Sequence, residues 1–132
     1  MGNKRVKKRE IPKTSAGDTA DYPVFCLKYL QHGVSIKNCD NKLFRSFVER
    51  LTKLCSLGWD EIAISHRHSY GFELIDRKDI KPKLPPAITE DVQSLYAFRY
   101  TGNNLPFLAM RNGNVLHVIF IEAHFGDIYN HG

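Results

Sequence analysis

The chain has 132 residues, 42% of them hydrophobic and 11% aromatic, which predicts one folded domain with a modest core. Its longest apolar runs fall well short of the ~18 residues a membrane-spanning helix needs. The net charge of +5 favours an anionic partner, either nucleic acid or an acidic protein.

The chain opens on a charged segment. Residues 1–13 hold six Lys or Arg (Lys4, Arg5, Lys7, Lys8, Arg9 and Lys13) against Glu10 alone. The remaining residues therefore carry thirteen charges of each sign, and the body is balanced. Residues 1–22 are expected to form a disordered basic arm, either a nucleic-acid tether or a solubilising tail. No hydrophobic stretch follows the basic start, so it does not read as a secretory signal. Residues 23–132 are expected to form a single α+β domain. Cys26, Cys39 and Cys55 are odd in number and lack CxxC spacing, which argues against a disulfide framework or zinc knuckle. The chain reads as cytoplasmic and reduced.

Val24–Leu30 (VFCLKYL) reads as a first strand. Asp40 or Asn41 caps a helix running to about Leu57. Leu43, Phe44, Phe47, Val48, Leu51, Leu54 and Cys55 recur at i, i+3, i+4 spacing on one face of it. Phe44, Phe47, Leu51 and Leu54 are expected to be buried. Gly58 stops this helix, and Trp59–Ser65 predicts a short second one. Phe72–Ile75 follows as a strand bearing Glu73. Residues 76–88, with Pro82, Pro85 and Pro86, are predicted to be irregular. Thr89 caps a helical turn over 89–93.

From Leu95 the chain reads LYAFRY-TGNN-LPFLAMR-NGN-VLHVIFIE, three strands joined by strong turn signals. A four-residue loop at 101–104 pairs Tyr100 with Leu105. That register puts Arg111 on the face of Phe98 and Phe107, and Arg99 on the other. His117 faces away from Arg111 if 112–113 is a two-residue turn, and joins it if 112–114 is the loop. The expected sheet is an antiparallel β-meander with one main and one short helix packed on it. A polar tail then holds His124, Asp127, Tyr129 and His131 within eight residues.

Two constellations carry candidate chemistry. His66, Arg67, His68 and Tyr70 either grip RNA, through Arg67 on phosphate and Tyr70 under a base, or form a polar loop. His66 and His68 alternatively begin a metal site, completed by His117, His124, Asp127 or His131. The second constellation is Glu73, Arg99, Arg111, His117, His124, Tyr129 and His131. RNA cleavage by the ribose 2′-OH needs a proton acceptor, a cation for the phosphorane and an acid for the leaving oxygen. Glu or His suits the first role, Arg the second, and His or Tyr the third. Lone His117, flanked by apolar residues, is also the kind that is simply a sheet residue. Arg111, His124, Tyr129 and His131 are expected to converge at one end of the sheet, with Glu73 in reach.

From about Val24 onward, the order of strand, two helices, meander and His/Tyr tail resembles the RelE/YoeB-like toxins of bacterial toxin–antitoxin pairs. The resemblance implies a metal-independent, cofactor-free mRNA endonuclease, acting with the ribosome and silenced by an antitoxin protein. It implies that Glu73 is the acidic residue after the helices and that Arg99 or Arg111 is the meander arginine. His124, Tyr129 and His131 are candidates for the terminal pair. The neutral body, the separated His and Tyr and the long proline-rich insert depart from that pattern. The closing run HVIFIEAHFGDIYNHG is also similar to that of plasmid and phage proteins of comparable size. Two alternatives therefore stay open: a non-catalytic module binding protein or RNA, and a metal-dependent hydrolase using His66 and His68.

Overall fold

Asp40 starts the main helix. In the computed structural model, which describes residues 21–131, its carboxylate accepts the Leu43 N–H at 2.8 Å, so one orphan donor of the first turn is satisfied. The helix, α1, runs Asn41–Leu57. Gly58 ends it with φ +83° and leads directly into α2, Trp59–Ile64. Only glycine adopts that backbone without strain, and a Cβ there would meet the Asp21 carbonyl oxygen at 3.1 Å. That carbonyl accepts the Trp59 N–H at 2.7 Å, which ties the start of the described chain to the helix junction.

Five strands form from the alternating segments: β1 Val24–Cys26, β2 Phe72–Asp76, β3 Ser94–Arg99, β4 Pro106–Asn112 and β5 Val115–Ile121. Their order in the sheet is β1-β5-β4-β3-β2. β2 to β5 pair antiparallel in succession, whereas β1 lies parallel to β5, Val24 opposite Val115. The sheet is therefore mixed, which corrects the all-antiparallel expectation. No hairpin joins β1 to its neighbour, so no turn dictates its direction. β1 is also shorter than expected. The chain turns after Cys26, and Gln31 N–H then bonds the Ile119 carbonyl at 2.9 Å.

Tyr100 N–H bonds the Leu105 carbonyl at 2.9 Å, as the four-residue loop requires. The second turn is Gly113-Asn114, because Asn112 pairs with Val115. Neither expected register at this turn is adopted. His117 lies opposite Met110, away from Arg111. β5 carries a bulge: Leu108 faces Phe120 and Ala109 faces Val118, leaving Ile119 as the extra residue.

Both faces of the sheet are covered. One packs Phe98, Phe107, Ala109, Leu116, Val118 and Ile121 against Phe47 and Leu54 of α1 and Ile62 of α2. The other packs Leu95, Ala97, Leu108, Ile119 and Phe120 beneath Ile88, Ile128 and Tyr129. Phe44 and Leu51 are only half-buried, and Val48 is 54% exposed, so the apolar stripe of α1 is narrower than its sequence implied. The proline-rich stretch is not wholly irregular, since Arg77–Asp79 forms a 3-10 turn. Arg77 orders the segment up to β3, donating to the carbonyls of Thr89, Val92 and Ile88. Residues 89–93 make a turn, Val92 N–H to Thr89 O at 3.0 Å, and no helix. Residues 1–20 of the expected arm lie outside the described residues.

Phe47→Ala and Leu54→Ala should each cost about 2–5 kcal/mol by leaving a cavity. Val48→Ala should stay within about 0.5 kcal/mol. Urea unfolding curves for the three variants check this order.

Candidate functional site

Glu73 lies opposite Ala97 in the β2–β3 ladder, and Arg99 is two residues beyond Ala97. Alternation therefore puts Glu73 and Arg99 on one face, the face away from the helices. The tail after β5 crosses that face and delivers Tyr129. Arg99 is 4% exposed. One terminal nitrogen donates to the Tyr129 hydroxyl at 2.8 Å, and the other forms an ion pair with Glu73 Oε1. Its Nε is buried and has no hydrogen-bond partner among the described residues. The Tyr129 hydroxyl lies 3.5 Å from Glu73 Oε1. Arg67 Nη1 approaches the second carboxylate oxygen of Glu73 at 3.8 Å, from the rim. Burial pushes the Tyr129 phenol above its ordinary value, and the Arg99 hydrogen bond and charge oppose this only in part. Tyr129 thus stays protonated through neutral pH and is a donor.

The tail is shaped by Glu122, which is fully buried just past β5. Its Oε2 accepts the Ile128 N–H at 2.8 Å, and its Oε1 pairs with His131 Nε2 at 2.5 Å. Tyr100 donates to the Glu122 backbone carbonyl at 2.7 Å. Gly126, at φ +93°, makes the bend between them, and Lys81 Nζ caps its carbonyl at 2.5 Å. The return stacks the His131 ring on Tyr129, centroids 4.3 Å apart, with Phe125 edge-on at 4.9 Å.

Glu73, Arg99, Tyr129 and His131 line one cleft of about 920 Å³, with Arg67 and His68 beside them. Arg111 does not join them, contrary to expectation. It lies on the helix face, its guanidinium 3.8 Å from the Trp59 ring centroid and 5.6 Å from that of Tyr96. The register shows why: Arg111 pairs with Leu116, whereas Arg99 shares the face of Ala97. His124 is also apart, 77% exposed and 3.4 Å from Asp127. His66 stacks on His68 at 5.3 Å, and Arg67 Nε donates to His68 Nε2 at 3.2 Å. Tyr70 turns to the helix side, under Arg50 at 4.7 Å and Lys53 at 5.7 Å. His117 packs on Tyr29 at 5.5 Å, and burial pushes its pKa down. No group of three or more His, Cys, Asp or Glu among the described residues is arranged to hold a metal ion. No helix among them is long and apolar enough to cross a membrane.

Two contributors went unread in the sequence. Glu122 was hidden as the acid closing an apolar strand, although a carboxylate after VIFI is itself a signal of a buried partner. Arg50, on α1, donates from one Nη to both the Ser69 and Arg99 carbonyls at 2.8 Å. It thereby joins the turn bearing Arg67 and His68 to the strand bearing Arg99. Arg50 falls outside the apolar stripe of the helix, and helical spacing gives no sign of this tie.

Comparison with protein-family models, with curated proteins and with solved structures returns no match for this chain.

Glu122→Ala strips acceptors from both the Ile128 N–H and His131, and should cost about 1–3 kcal/mol. The loosened tail should register as faster amide exchange at Ile128. A second expectation concerns alkaline pH. Burial raises the pKa values of Cys39, Cys55, Tyr100 and Tyr129. The unfolded chain therefore releases these protons first, and folding stability falls as pH rises past about 9–10. Denaturant midpoints measured from pH 7 to 11 should decline over that window, and less steeply for Tyr129→Phe.

Proposed function

We propose that this protein is a metal-independent endoribonuclease, the toxin of a toxin–antitoxin pair. On this reading it cleaves mRNA in association with the ribosome, in the cytoplasm, and is held inactive by an antitoxin protein. The observation that carries the chemistry is the buried Arg99, joined to Glu73 and Tyr129 at the floor of a cleft walled by His131. The ribosomal and antitoxin parts follow from the resemblance of element order and tail.

Each requirement of 2′-OH attack has a group on this face. The Glu73 carboxylate accepts the hydroxyl proton, and the freed 2′-oxygen attacks phosphorus. The charge that builds on the phosphoryl oxygens is met by the Arg99 guanidinium at the floor of the cleft and by Arg67 at the rim. The P–O5′ bond breaks and His131 delivers a proton to the departing oxygen. The products are a 2′,3′-cyclic phosphate and a 5′-hydroxyl. Glu122 holds the imidazole by Nε2, which fixes the ring and leaves Nδ1 as the nitrogen that hands over the proton. Tyr129 accepts from Arg99, turns its own hydroxyl proton toward Glu73 and stacks against His131, which sets the acid's position.

Purified protein should cleave RNA with EDTA present, most efficiently with ribosomes added. His131→Ala should slow cleavage about 10²–10⁴-fold, the span of a lost general acid or base. Arg99→Lys should slow it while keeping the charge, because the planar fork is lost. Arg111→Ala should cut normally, since that side chain is on the other face. Circular dichroism confirms that each variant is folded. RNA left intact both alone and on ribosomes would sink the nuclease and leave a binding module, whereas cleavage abolished by EDTA would point to the metal-dependent hydrolase.

A further inference from the structure

We propose that Phe125 is the base-stacking wall of a subsite for one unpaired nucleotide, set beside the phosphate position at Arg99. The inference rests on reading this cleft as an RNA site.

Phe125 is 52% exposed, unlike the neighbouring tail residues Ile128 and Tyr129, which are buried. It is held away from the core by the bend at Gly126, whose carbonyl is capped by Lys81. The ring is not loose. Its edge-to-face contact with His131, planes at 85°, sets its orientation, and His131 is in turn gripped by Glu122 and stacked on Tyr129. A half-exposed aromatic ring held in place at the wall of a cleft is a stacking surface awaiting a partner.

The partner's class is set by the groups that share the cleft. Arg99 puts a guanidinium on the floor of the cleft, paired with Glu73. A planar cation in that position suits an anionic oxygen. Arg67, Lys78 and Lys81 outnumber Asp76 and Asp79 around the rim, and Asn104 and Asn130 supply amides that suit base edges. An aromatic face, a cationic anion seat and amides in one recess match a nucleotide: base, phosphate and base edge. A base paired inside a helix has both π-faces covered by its neighbours. A single ring within a recess therefore selects an unpaired nucleotide over a duplex. Stacking of this sort is tolerant of base identity, so it confers preference for strandedness before sequence.

The test uses the full chain and a short 2′-O-methyl RNA carrying one 2-aminopurine. The modification blocks 2′-OH attack, so binding is read independently of cleavage. The single strand should quench the 2-aminopurine fluorescence on binding, and the same strand in a duplex should bind weakly without quenching. Phe125→Ala should abolish the quench and weaken binding about 5- to 150-fold, while Phe125→Trp should retain both. Phe125 is exposed, so neither change threatens folding. An unchanged quench and affinity in Phe125→Ala, or no binding of the single strand by the wild type, would overturn the subsite. Unmodified RNA is assayed for cleavage in parallel. Cleavage by the wild type with no dependence of binding on Phe125 removes the subsite and leaves the nuclease standing. A Phe125-dependent quench without cleavage leaves the subsite standing and removes the nuclease.

Discussion

A single carboxylate removed from water organises one half of this molecule. Isolating Glu122 from solvent costs several kcal/mol unless its oxygens are met. They are met by the Ile128 N–H and by His131, both from the tail beyond it. The chain satisfies Glu122 by folding back over the end of its own sheet. That return places Ile128 and Tyr129 in the second core, closes the sheet face over Leu95, Leu108 and Phe120, and sets the Tyr129 hydroxyl on Arg99. The cleft exists because the tail returns.

The sheet thus has two covered faces with different kinds of cover. The helices bring a dry, aromatic contact, with Phe47 edge-on to both Phe107 and Tyr100. The tail and the Arg77-ordered loop bring a mixed cover in which charged groups are held between apolar ones. A strand covered on both faces can keep an arginine only where acceptors meet its donors. Arg99 has both, and Arg111, at the far end of the next strand, has instead the flat faces of Trp59 and Tyr96. The two arginines are similar in the sequence and unlike in the structure: one is a buried hub, the other an exposed lid over aromatic rings.

The faces are also coupled. Arg50 reaches from α1 to the carbonyl of Arg99 and to that of Ser69, and rests on Tyr70. The helix layer, the turn with Arg67 and His68, and the last residue of β3 are thereby fixed to one another. A cleft whose walls come from a turn, two strands and a tail keeps its shape only if such cross-ties hold the parts together.

Local rules sufficed for much of this. The capping Asp40, the i, i+3, i+4 stripe through Phe47 and Leu54, and the Gly58 stop defined α1 and α2, because caps, period and glycine conformation act within a few residues. The Thr-Gly-Asn-Asn loop set the register that separates Arg99 from Arg111, since strand alternation carries a turn's geometry along the whole ladder. Glu73, Arg99, Tyr129 and His131 were legible as residue types suited to one reaction. What decided which of them meet was nonlocal. The direction of β1 is set by docking on an edge without a hairpin. The position of His117 depends on which two residues form the second turn, and the bulge at Ile119 shifts the ladder beyond it. Above all, the tail's course depends on a buried charge finding its donors, a balance of desolvation against hydrogen bonds that arises only once the sheet has formed.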